Sequence, residues 1–324
     1  MNNRYQELVQ KIGKPRVKLD ASLSECTTVG IGGSADLLYT TKNSRDLQRT
    51  VVSARECDVP VTVLGCGSNV LIADKGIRGL VVINTKGGYS VEHAKMRKKI
   101  ADRSSVPDAR CESDKTRGTL KYEFNDLNYD ESHEDSVCVN VESGLSMPVL
   151  IRLMLGRGIT GLQWFAGIPG TVGGAVVNNL HGGTRFISEV IDWVEVLTKE
   201  NKVERLDNKE LMLDYDKSVF HKSGDIVLRA CLRLFLGDSN KAKFTADEWA
   251  KRKIKVQPQS TPGCIFKNIS HEERERLGFP TTGTGFIIEH GINFSGYSVG
   301  DAVISSKHHN FIENMGGATA SDYL

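Results

Sequence analysis

The spacing of apolar and polar positions in the first part of the chain predicts a small unit of helices and strands. Residues 4–12 have the spacing of a short helix, and a second helix begins at Asn43 or Ser44. One face of the second helix is apolar, formed by Leu47, Val51 and Ala54. Apolar runs predict strands at 35–40, 61–64 and 80–83.

The same kind of pattern returns in the second half of the chain. Strands are predicted at 137–141, 190–198, 203–206 and 226–235. Helices are predicted at 147–155 and at 245–255, and the second of these is basic and ends before Pro258. The helices and strands of the first part predict a small α+β unit.

Residues 89–135, between these two parts, are rich in charge. A basic half comes first, with Lys95, Arg97, Lys98, Lys99 and Arg103, and an acidic half follows, with Asp126, Asp130, Glu131, Glu134 and Asp135. This density of charge favours a solvated insertion or a partly ordered segment. A docking surface for a partner is the alternative, and nothing else in the sequence supports it.

Composition narrows the class of protein. At 324 residues the chain is long enough for two or three domains, and 39% hydrophobic and 25% charged residues are ordinary for a globular protein. A formal net charge of +2 argues against nucleic-acid binding by bulk electrostatics. No apolar run approaches the roughly 18 residues of a membrane span, and residues 1–18 lack a signal-peptide core.

The cysteines predict neither disulfides nor a metal site. Seven cysteines, an odd number without paired spacing, fit a reducing cytoplasm better than a disulfide framework. The sequence contains no CxxC and no HExxH motif, which argues against a zinc site.

Two glycine-rich stretches carry the candidate chemistry. Residues 167–175 combine glycines with Pro169, so their backbone can approach a ligand closely. Thr171 is placed to cap a short helix, whose free N–H groups would then point at a flat or anionic ligand. A tight turn packed against a sheet is the alternative. The second stretch, 64–70, follows a predicted strand, and two such loops predict one large cofactor held along its length.

At this point the chain resembles the UDP-N-acetylenolpyruvoylglucosamine reductases (UDP-N-acetylmuramate dehydrogenases). The resemblance runs from about residue 18 to the end, except for the charged segment. The matching blocks, in family order, are 28–36, 64–71, 166–175, Tyr215 with 218–220, 263–268, and 305–312 with 318–320. The order of the blocks makes a chance match improbable, although any one glycine loop would be weak support.

The resemblance implies a PCMH-type FAD-binding half of two subdomains and a C-terminal α+β substrate-binding domain. It implies a first FAD subdomain at 18–85, the charged insertion at 86–136, a second FAD subdomain at 137–236 and the substrate domain at 237–324. Family members continue to a final strand that carries a catalytic glutamate, so the last domain looks truncated and is expected to expose apolar surface.

The implied activity is reduction of a UDP-sugar enolpyruvyl ether in peptidoglycan precursor synthesis. In this family NADPH reduces FAD, hydride then passes from flavin N5 to C3 of the enolpyruvyl group, and a side-chain acid protonates C2. The resemblance therefore implies a small-molecule partner and a cytoplasmic location, with roles in cell-wall biogenesis, cell shape and cell division. It implies no nucleic-acid or membrane partner, and the oligomeric state stays open. Two alternatives remain: a divergent flavoprotein with another substrate, and an FAD-binding protein without turnover.

The resemblance also assigns roles to individual residues. Cofactor binding falls on Gly65, Cys66, Gly67, Ser68, Asn69, Gly167, Ile168, Gly170, Thr171, Gly173, Gly174 and Ala175. Substrate binding falls on Tyr215, Ser218, Lys267 and Asn268. Cys264 stands where many members carry a serine proton donor, and a thiol with a pKa of about 8.5 is protonated at neutral pH and is a stronger acid than an alcohol. The alternative for Cys264 is a small buried thiol packed beside Phe266.

Two positions depart from the family pattern. Asp216 stands where the usual arginine holds negative charge, so a replacement cation is sought among Lys217, Arg252 and Lys267. The catalytic glutamate has no counterpart before Leu324, and neither Glu289 nor Glu313 is promoted to that role.

The histidines of the matching blocks have a less specific interpretation. His181, His308 and His309 are interpreted as hydrogen-bonded framework residues, with contact to flavin or substrate as the alternative.

Overall fold

The first subdomain is a mixed sheet with two helices packed against it. In the computed structural model, which describes residues 3–92 and 127–324, the strand order is β1-β2-β4-β3. Its elements are α1 (Asn3–Ile12), β1 (Val17–Ser22), β2 (Ser34–Thr40), α2 (Ser44–Glu56), β3 (Val61–Leu64) and β4 (Ile77–Ile83). β1 runs antiparallel to β2, and β4 runs parallel to both β2 and β3. The predicted helices and strands of this unit are confirmed.

Helix α2 shows how local sequence and packing agree here. The Asn43 side chain caps the helix by accepting a hydrogen bond from the Asp46 N–H at 2.9 Å. Leu47, Val51 and Ala54 are fully buried between α1 and the sheet, as the apolar spacing predicts.

The second subdomain is built on an antiparallel sheet. Within the described residues its strand order is β10-β9-β11-β6-β5. Its strands are β5 (Tyr89–Glu92), β6 (Ser136–Glu142), the short pair β7 (His181–Gly182) and β8 (Arg185–Phe186), β9 (Ile191–Leu197), β10 (Val203–Asp207) and β11 (Ile226–Phe235). Its helices are α3 (Met147–Gly156), α4 (Val172–Val177) and α5 (Phe220–Ser223). The inward-facing valines of β6 and the apolar face of α3 form the main core of this unit.

The prediction of a solvated insertion is wrong at both described ends of the charged segment. Residues 89–92 form strand β5, which pairs with β6. At the other end Leu127 is buried, and the Trp164 indole N–H donates to its carbonyl at 3.0 Å. Glu131 is also buried and accepts a hydrogen bond from the Gln163 side chain at 2.9 Å. Residues 93–126 lie outside the described residues, and the division into four domains stays a prediction.

The C-terminal part contains one long helix and several short elements. These are α6 (Ser239–Val256), α7 (His271–Leu277), α8 (Thr284–Phe286), β12 (Ser298–Val299), β13 (Ala302–Ile304), β14 (Ile312–Asn314) and α9 (Ala320–Tyr323). Helix α6 begins six residues before the predicted start at 245. The reason is local: the Asp238 carboxylate caps the helix by accepting from the N–H groups of Asn240 and Lys241.

Polar contacts attach this C-terminal part to the first subdomain. The Thr28 hydroxyl donates to the Thr261 carbonyl at 2.8 Å, and the Asn314 amide donates to the Val29 carbonyl at 2.9 Å. The Asp74 carboxylate accepts from the first N–H groups of α9, and these hydrogen bonds lower its pKa. We call these contacts the C-terminal latch.

The expectation of uncovered apolar surface in the last domain agrees with the exposure of its side chains. Phe294 and Tyr297 stack on each other with ring centroids 4.9 Å apart, and both are exposed. Other exposed apolar side chains lie in the same part of the chain, namely Leu277, Ile292, Val299 and Met315.

The prediction that the cysteines form no disulfide is wrong for one pair. Cys138 on β6 and Cys231 on β11 are joined by a disulfide, although they lie 93 residues apart in sequence. Cys26, Cys57, Cys66 and Cys264 are free thiols.

Leu127→Ala tests whether the segment before β6 is part of the fold. Because Leu127 is 3% exposed and packs with Trp164 and Trp249, the substitution should lower the free energy of unfolding by about 2–5 kcal/mol. Denaturant unfolding followed by tryptophan fluorescence measures the change. Leu19→Ala is the control, because Leu19 is 56% exposed, and it should cost about 0.5 kcal/mol or less. Equal costs would restore the prediction of a solvated segment at this end.

Candidate active site

Four loops from different parts of the chain meet at one place. The first loop, around Thr28, and the second, the glycine stretch at 64–70, are joined by a hydrogen bond from the Thr28 N–H to the Gly67 carbonyl at 3.1 Å. The Ser68 hydroxyl donates to the Pro169 carbonyl at 3.2 Å and brings in the third. The contact between Thr28 and Thr261 brings in the fourth, which carries Cys264. The two glycine stretches and the predicted proton donor therefore lie side by side.

Gly65 and Gly67, in the 64–70 stretch, must be glycine because atoms of other loops lie very close to them. Gly67 has a φ of +64°, and a Cβ built on it would lie 1.9 Å from the Cys26 carbonyl oxygen. A Cβ on Gly65 would lie 2.6 Å from the Thr171 hydroxyl oxygen. Only glycine lets these loops approach each other so closely.

A cavity of about 230 Å³ opens between these loops and the end of β4. It is lined by Glu25, Cys26, Thr27, Thr28, Gly65, Cys66, Ile83 and Thr85. Burial raises the pKa of the Cys66 thiol, and burial followed by the charge of Glu25 raises that of Cys26, so both thiols stay neutral at pH 7. The Thr27 and Thr28 hydroxyls already donate to the Ile31 and Thr261 carbonyls, so the glycine backbone is the part of this cavity that suits the pyrophosphate portion of a dinucleotide.

The loop at 167–175 folds as predicted but uses its N–H groups differently. Thr171 caps α4, and its hydroxyl accepts from the Gly174 N–H at 3.4 Å. The N–H groups of Val172 and Gly173 donate to the carbonyls of Leu145 and Ser143 at 2.9 and 2.8 Å. The expectation that the first N–H groups of this helix are free for a ligand is therefore wrong. They anchor the loop to the turn after β6 instead.

The loop that carries Cys264 is exposed, and hydrogen bonds from Asn310 hold it in place. Cys264 itself is exposed, which excludes the alternative of a buried packing thiol. A Cβ on Gly263 would lie 3.4 Å from Asn69 Oδ1, so this loop adjoins the second glycine stretch. The buried Asn310 side chain accepts from the Phe266 N–H at 2.8 Å and donates to the Phe266 carbonyl at 2.7 Å.

Asn310 was not singled out from the sequence, although it lies in the 305–312 block of the resemblance. Its carbonyl also accepts from the Ile265 N–H at 2.9 Å. Asn310 thus holds both residues that follow the thiol, and we assign it a positioning role.

The predicted substrate residues around Tyr215 lie near Lys267. The Lys267 ammonium is 6.0 Å from the centre of the Tyr215 ring. The pKa of Asp216 is raised from its ordinary value because partial burial disfavours the carboxylate, while Lys267 and then His221 act in the opposite direction. Asp216 has a φ of +50° within a tight turn closed by the backbone groups of Asp214 and Lys217.

Two of the predicted substrate residues also have a structural contact. The Ser218 hydroxyl donates to the Val177 carbonyl at 2.6 Å, which ties this turn to the end of α4. The Asn268 side-chain oxygen accepts from the Thr284 N–H at 3.2 Å. Their proposed contact with substrate stays a prediction.

Lys253 was not among the candidate cations, yet it lies against the first glycine of the 167–175 loop. A Cβ on Gly167 would be 3.2 Å from Lys253 Cδ. Of the candidates named from sequence, Lys217 lies 4.0 Å from an Asp214 carboxylate oxygen and Arg252 stacks on Trp249 at 5.0 Å. Lys253 lies on helix α6, far in sequence from the 167–175 loop. The residues next to it in the sequence therefore gave no indication that it lies beside Gly167.

The histidines occupy mixed environments. His309 is buried, with Nδ1 3.1 Å from the Glu289 carboxylate and Nε2 2.8 Å from the Ser295 hydroxyl, as a framework histidine should be. His308 packs edge-on against Phe311 at 4.7 Å. His181 stacks against Phe186 at 4.6 Å.

Glu289 and Glu313 each lie beside another side chain of the C-terminal part. Glu289 is occupied with His309, as described. Glu313 lies near the Tyr323 phenol, whose pKa is raised to about 12 by burial and then by the charge of Glu313.

Comparisons with known proteins now decide the family. A sequence model described as "UDP-N-acetylenolpyruvoylglucosamine reductase, C-terminal domain" matches residues 257–324, and one described as "FAD binding domain" matches residues 102–207. The UDP-N-acetylenolpyruvoylglucosamine reductase of Pediococcus pentosaceus is 32% identical over 93% of this chain and 84% of its own. The chain belongs to the UDP-N-acetylenolpyruvoylglucosamine reductase family.

Other relatives agree with this assignment. The reductase of Latilactobacillus sakei is 30% identical over 99% of this chain and 88% of its own. The crystal structure of the reductase from Thermus caldophilus superimposes with a TM-score of 0.66 at 26% identity, covering 95% of this chain and 91% of that one. The predicted fold class, an FAD-binding half followed by a C-terminal domain, is confirmed. In the part of the chain that the structure describes, no helix has the length and apolar character needed to cross a bilayer.

Gly67→Ala should strongly reduce the FAD content of the purified protein, because the added Cβ would displace the Cys26 backbone and open the cradle. The ratio of flavin to protein absorbance, followed by titration of FAD into apoprotein, measures the loss. Gly278→Ala is matched for backbone conformation, with a φ of +71° and no atom within 4 Å of its Cβ. It should keep its flavin, and equal flavin content in the two variants would contradict the cradle.

His181→Phe should reduce the loss of stability in acid. Burial, and then the charge of Lys253, lowers the pKa of His181 to about 4, whereas an unfolded histidine titrates near pH 6.5. The contribution of His181 to the free energy of unfolding is therefore complete above pH 6.5 and is lost as the pH falls towards 4. Melting temperatures between pH 7.5 and 4.5 test this. His133→Phe is the control because the His133 side chain is 70% exposed, and identical acid profiles for both variants would refute the assignment.

Proposed function

We propose that this protein reduces UDP-N-acetylglucosamine enolpyruvate to UDP-N-acetylmuramate with FAD and NADPH, in peptidoglycan precursor synthesis. Membership in the reductase family supports the reaction, and that family uses FAD and NADPH. The observation that carries the proposal is the convergence of the two glycine stretches with the exposed Cys264 loop. This arrangement supports the proposal that Cys264 acts as a proton donor beside a dinucleotide cradle.

The residues of the cradle have separable tasks. Gly65 and Gly67 would leave room for the FAD pyrophosphate, with the hydroxyls of Thr27 and Thr28 at the cavity wall. The 167–175 loop, anchored through Ser143 and Leu145, would present its backbone to the flavin. When bound, FAD supplies the two-electron carrier between NADPH and the enolpyruvyl group.

Cys264 is proposed as the acid that protonates the substrate carbon. Its exposure leaves the sulfur accessible to a bound substrate, and the hydrogen bonds between Asn310 and Phe266 hold the loop that carries it. A thiol with an ordinary pKa of about 8.5 is protonated at neutral pH and can deliver its proton as carbanion character develops.

Binding of the anionic substrate is proposed to use cations from two elements. Lys267 lies at Tyr215 and faces the Asp216 turn, where the usual arginine is missing. Lys253 lies beside Gly167, in the loop proposed to face the flavin. These ammonium groups would hold the substrate carboxylate and diphosphate.

A second candidate is a flavoprotein of the same fold with a different substrate, which Asp216 specifically favours. A carboxylate at this position has the wrong sign for an oxyanion. Mixing protein, NADPH and the enolpyruvyl nucleotide anaerobically while following flavin absorbance separates the candidates. Reoxidation that requires the enolpyruvyl nucleotide supports the reductase. Reduced flavin that persists until air is admitted supports the alternative.

The small-molecule UDP-sugar substrate is the partner that the family assignment supports. We further propose that the protein acts in the cytoplasm, where NADPH and nucleotide sugars are made.

Cys264→Ala should leave reduction of the flavin by NADPH nearly intact and should slow substrate reduction by about 10²-fold or more, since a positioned general acid is lost. Stopped-flow measurement of the two half-reactions makes the comparison. Cys264→Ser should recover part of the rate, because the hydroxyl is still a donor. If both half-reactions slow equally in the alanine variant, the thiol is structural and not catalytic.

Asp216→Arg should raise turnover and lower the KM for the enolpyruvyl nucleotide if the site is short of one cation. Steady-state kinetics with the enolpyruvyl nucleotide measures both. Asp58→Arg adds the same charge in the first subdomain, on a side chain that is 81% exposed, and should change neither value. An unchanged or lower rate for Asp216→Arg would mean that Lys253 or Lys267 already fills the role.

A further inference from the structure

The outer face of the second subdomain's sheet carries a pair of cysteines that the reductase activity does not use. Cys138 lies opposite Arg233 in the β6–β11 register, and Cys231 lies opposite Asn140. The two cysteines are thus diagonal neighbours on adjacent strands, with their Cα atoms 6.3 Å apart. This separation lies within the range that a disulfide spans, and the structure shows the pair bonded.

The two sulfurs differ in their access to solvent. Cys231 is fully buried, whereas Cys138 is partly exposed. A reagent from solution therefore reaches Cys138 first, and Cys231 is within bonding distance behind it.

The negative charge that lies beside the two cysteines is paired with a positive one. An oxygen of the Asp192 carboxylate lies within 4.8 Å of both sulfurs. Arg233 donates a hydrogen bond to that carboxylate and forms an ion pair with it. Because a negative charge disfavours the thiolate that attacks disulfides, Arg233 removes an obstacle to reaction at Cys138.

Asn140, which stands opposite Cys231, has a side-chain oxygen that matters for the reduced form of the pair. Asn140 donates to Glu92 at 2.7 Å through its amide nitrogen, while its Oδ1 is buried and has no hydrogen-bond partner among the described residues. Cys231 stands opposite Asn140 in the register and has no S–H group while it is in the disulfide. Reduction creates a thiol donor on the residue that stands opposite Asn140 in the register.

We propose that Cys138 and Cys231 are a reversible thiol–disulfide modification site that exchanges with small-molecule disulfides of the glutathione class. The Cys138 thiolate attacks one sulfur of the small disulfide, forming a mixed disulfide and releasing one small thiolate. The Cys231 thiolate then attacks the Cys138 sulfur, closes the protein disulfide and releases the second. The two cysteines lose two electrons and two protons, and the small disulfide becomes two thiols.

The disulfide joins β6 to β11, and β6 leads into the turn that anchors the 167–175 loop. After β6 the chain continues to Ser143 and Leu145, whose carbonyls anchor the N–H groups of Gly173 and Val172. Linking β6 to β11 closes a loop of 93 residues and so restricts the unfolded chain. The disulfide form is therefore the more thermally stable one.

Incubating the whole protein with glutathione disulfide or with dithiothreitol, followed by denaturation, alkylation and peptide mapping, tests the proposal. Glutathione disulfide should protect Cys138 and Cys231 from alkylation, give a linked peptide pair that contains both, and raise the Tm. Dithiothreitol should reverse all three changes. Cys57→Ser, which removes a buried thiol elsewhere, should leave these responses unchanged.

Single variants test the order of reaction. Cys231→Ser should accumulate glutathione on Cys138, because the resolving thiol is missing, whereas Cys138→Ser should leave Cys231 largely unmodified. Equal modification in both variants, or no linked peptide in the parent protein, would overturn the proposal. So would retention of one zinc ion per reduced chain that either variant abolishes, since this would make the cluster with Asp192 a metal site.

Discussion

The structure depends on the close approach of loop backbones where the first subdomain meets the rest of the chain. At Gly65 and Gly67 there is no room for a Cβ, because the Thr171 hydroxyl and the Cys26 carbonyl occupy the space. The first subdomain contributes two loops to this place, and the second subdomain and the C-terminal part contribute one each. If the loops stood apart by the width of one side chain, the cradle and the thiol would no longer share a site.

Much of the fold could be predicted from the sequence because local patterns determine it. Helix α2 has both a capping asparagine and an apolar face, and β11 was predicted with its observed bounds, Ile226–Phe235. The start of α6 was missed because residues 239–244 are mostly polar and the helix depends on capping by Asp238. Leu127 was missed because charge dominates its neighbourhood, whereas its tryptophan partners come from distant positions.

The candidate site shows a similar limit. The motif around Cys264 identified the thiol, yet the grip of Asn310 on Phe266 depends on a contact across 44 residues. The proximity of Lys253 to Gly167 depends on how α6 packs, which no neighbouring sequence records. The N–H groups of Val172 and Gly173 looked available in the sequence, but the turn after β6 already uses them. Tertiary partners, rather than residue types, decide each of these cases.

The C-terminal latch has a consequence for how the molecule is made. Thr28 and Thr261 are separated by 233 positions along the chain, so a ribosome translates most of the message before the two can touch. The sheet that carries the 167–175 loop is complete once β11 has been made, and helix α6, which packs beside Gly167, follows it directly. During synthesis the nascent chain thus acquires both glycine stretches and their supports before it acquires the Cys264 loop, so the docking of that loop is a late step of folding.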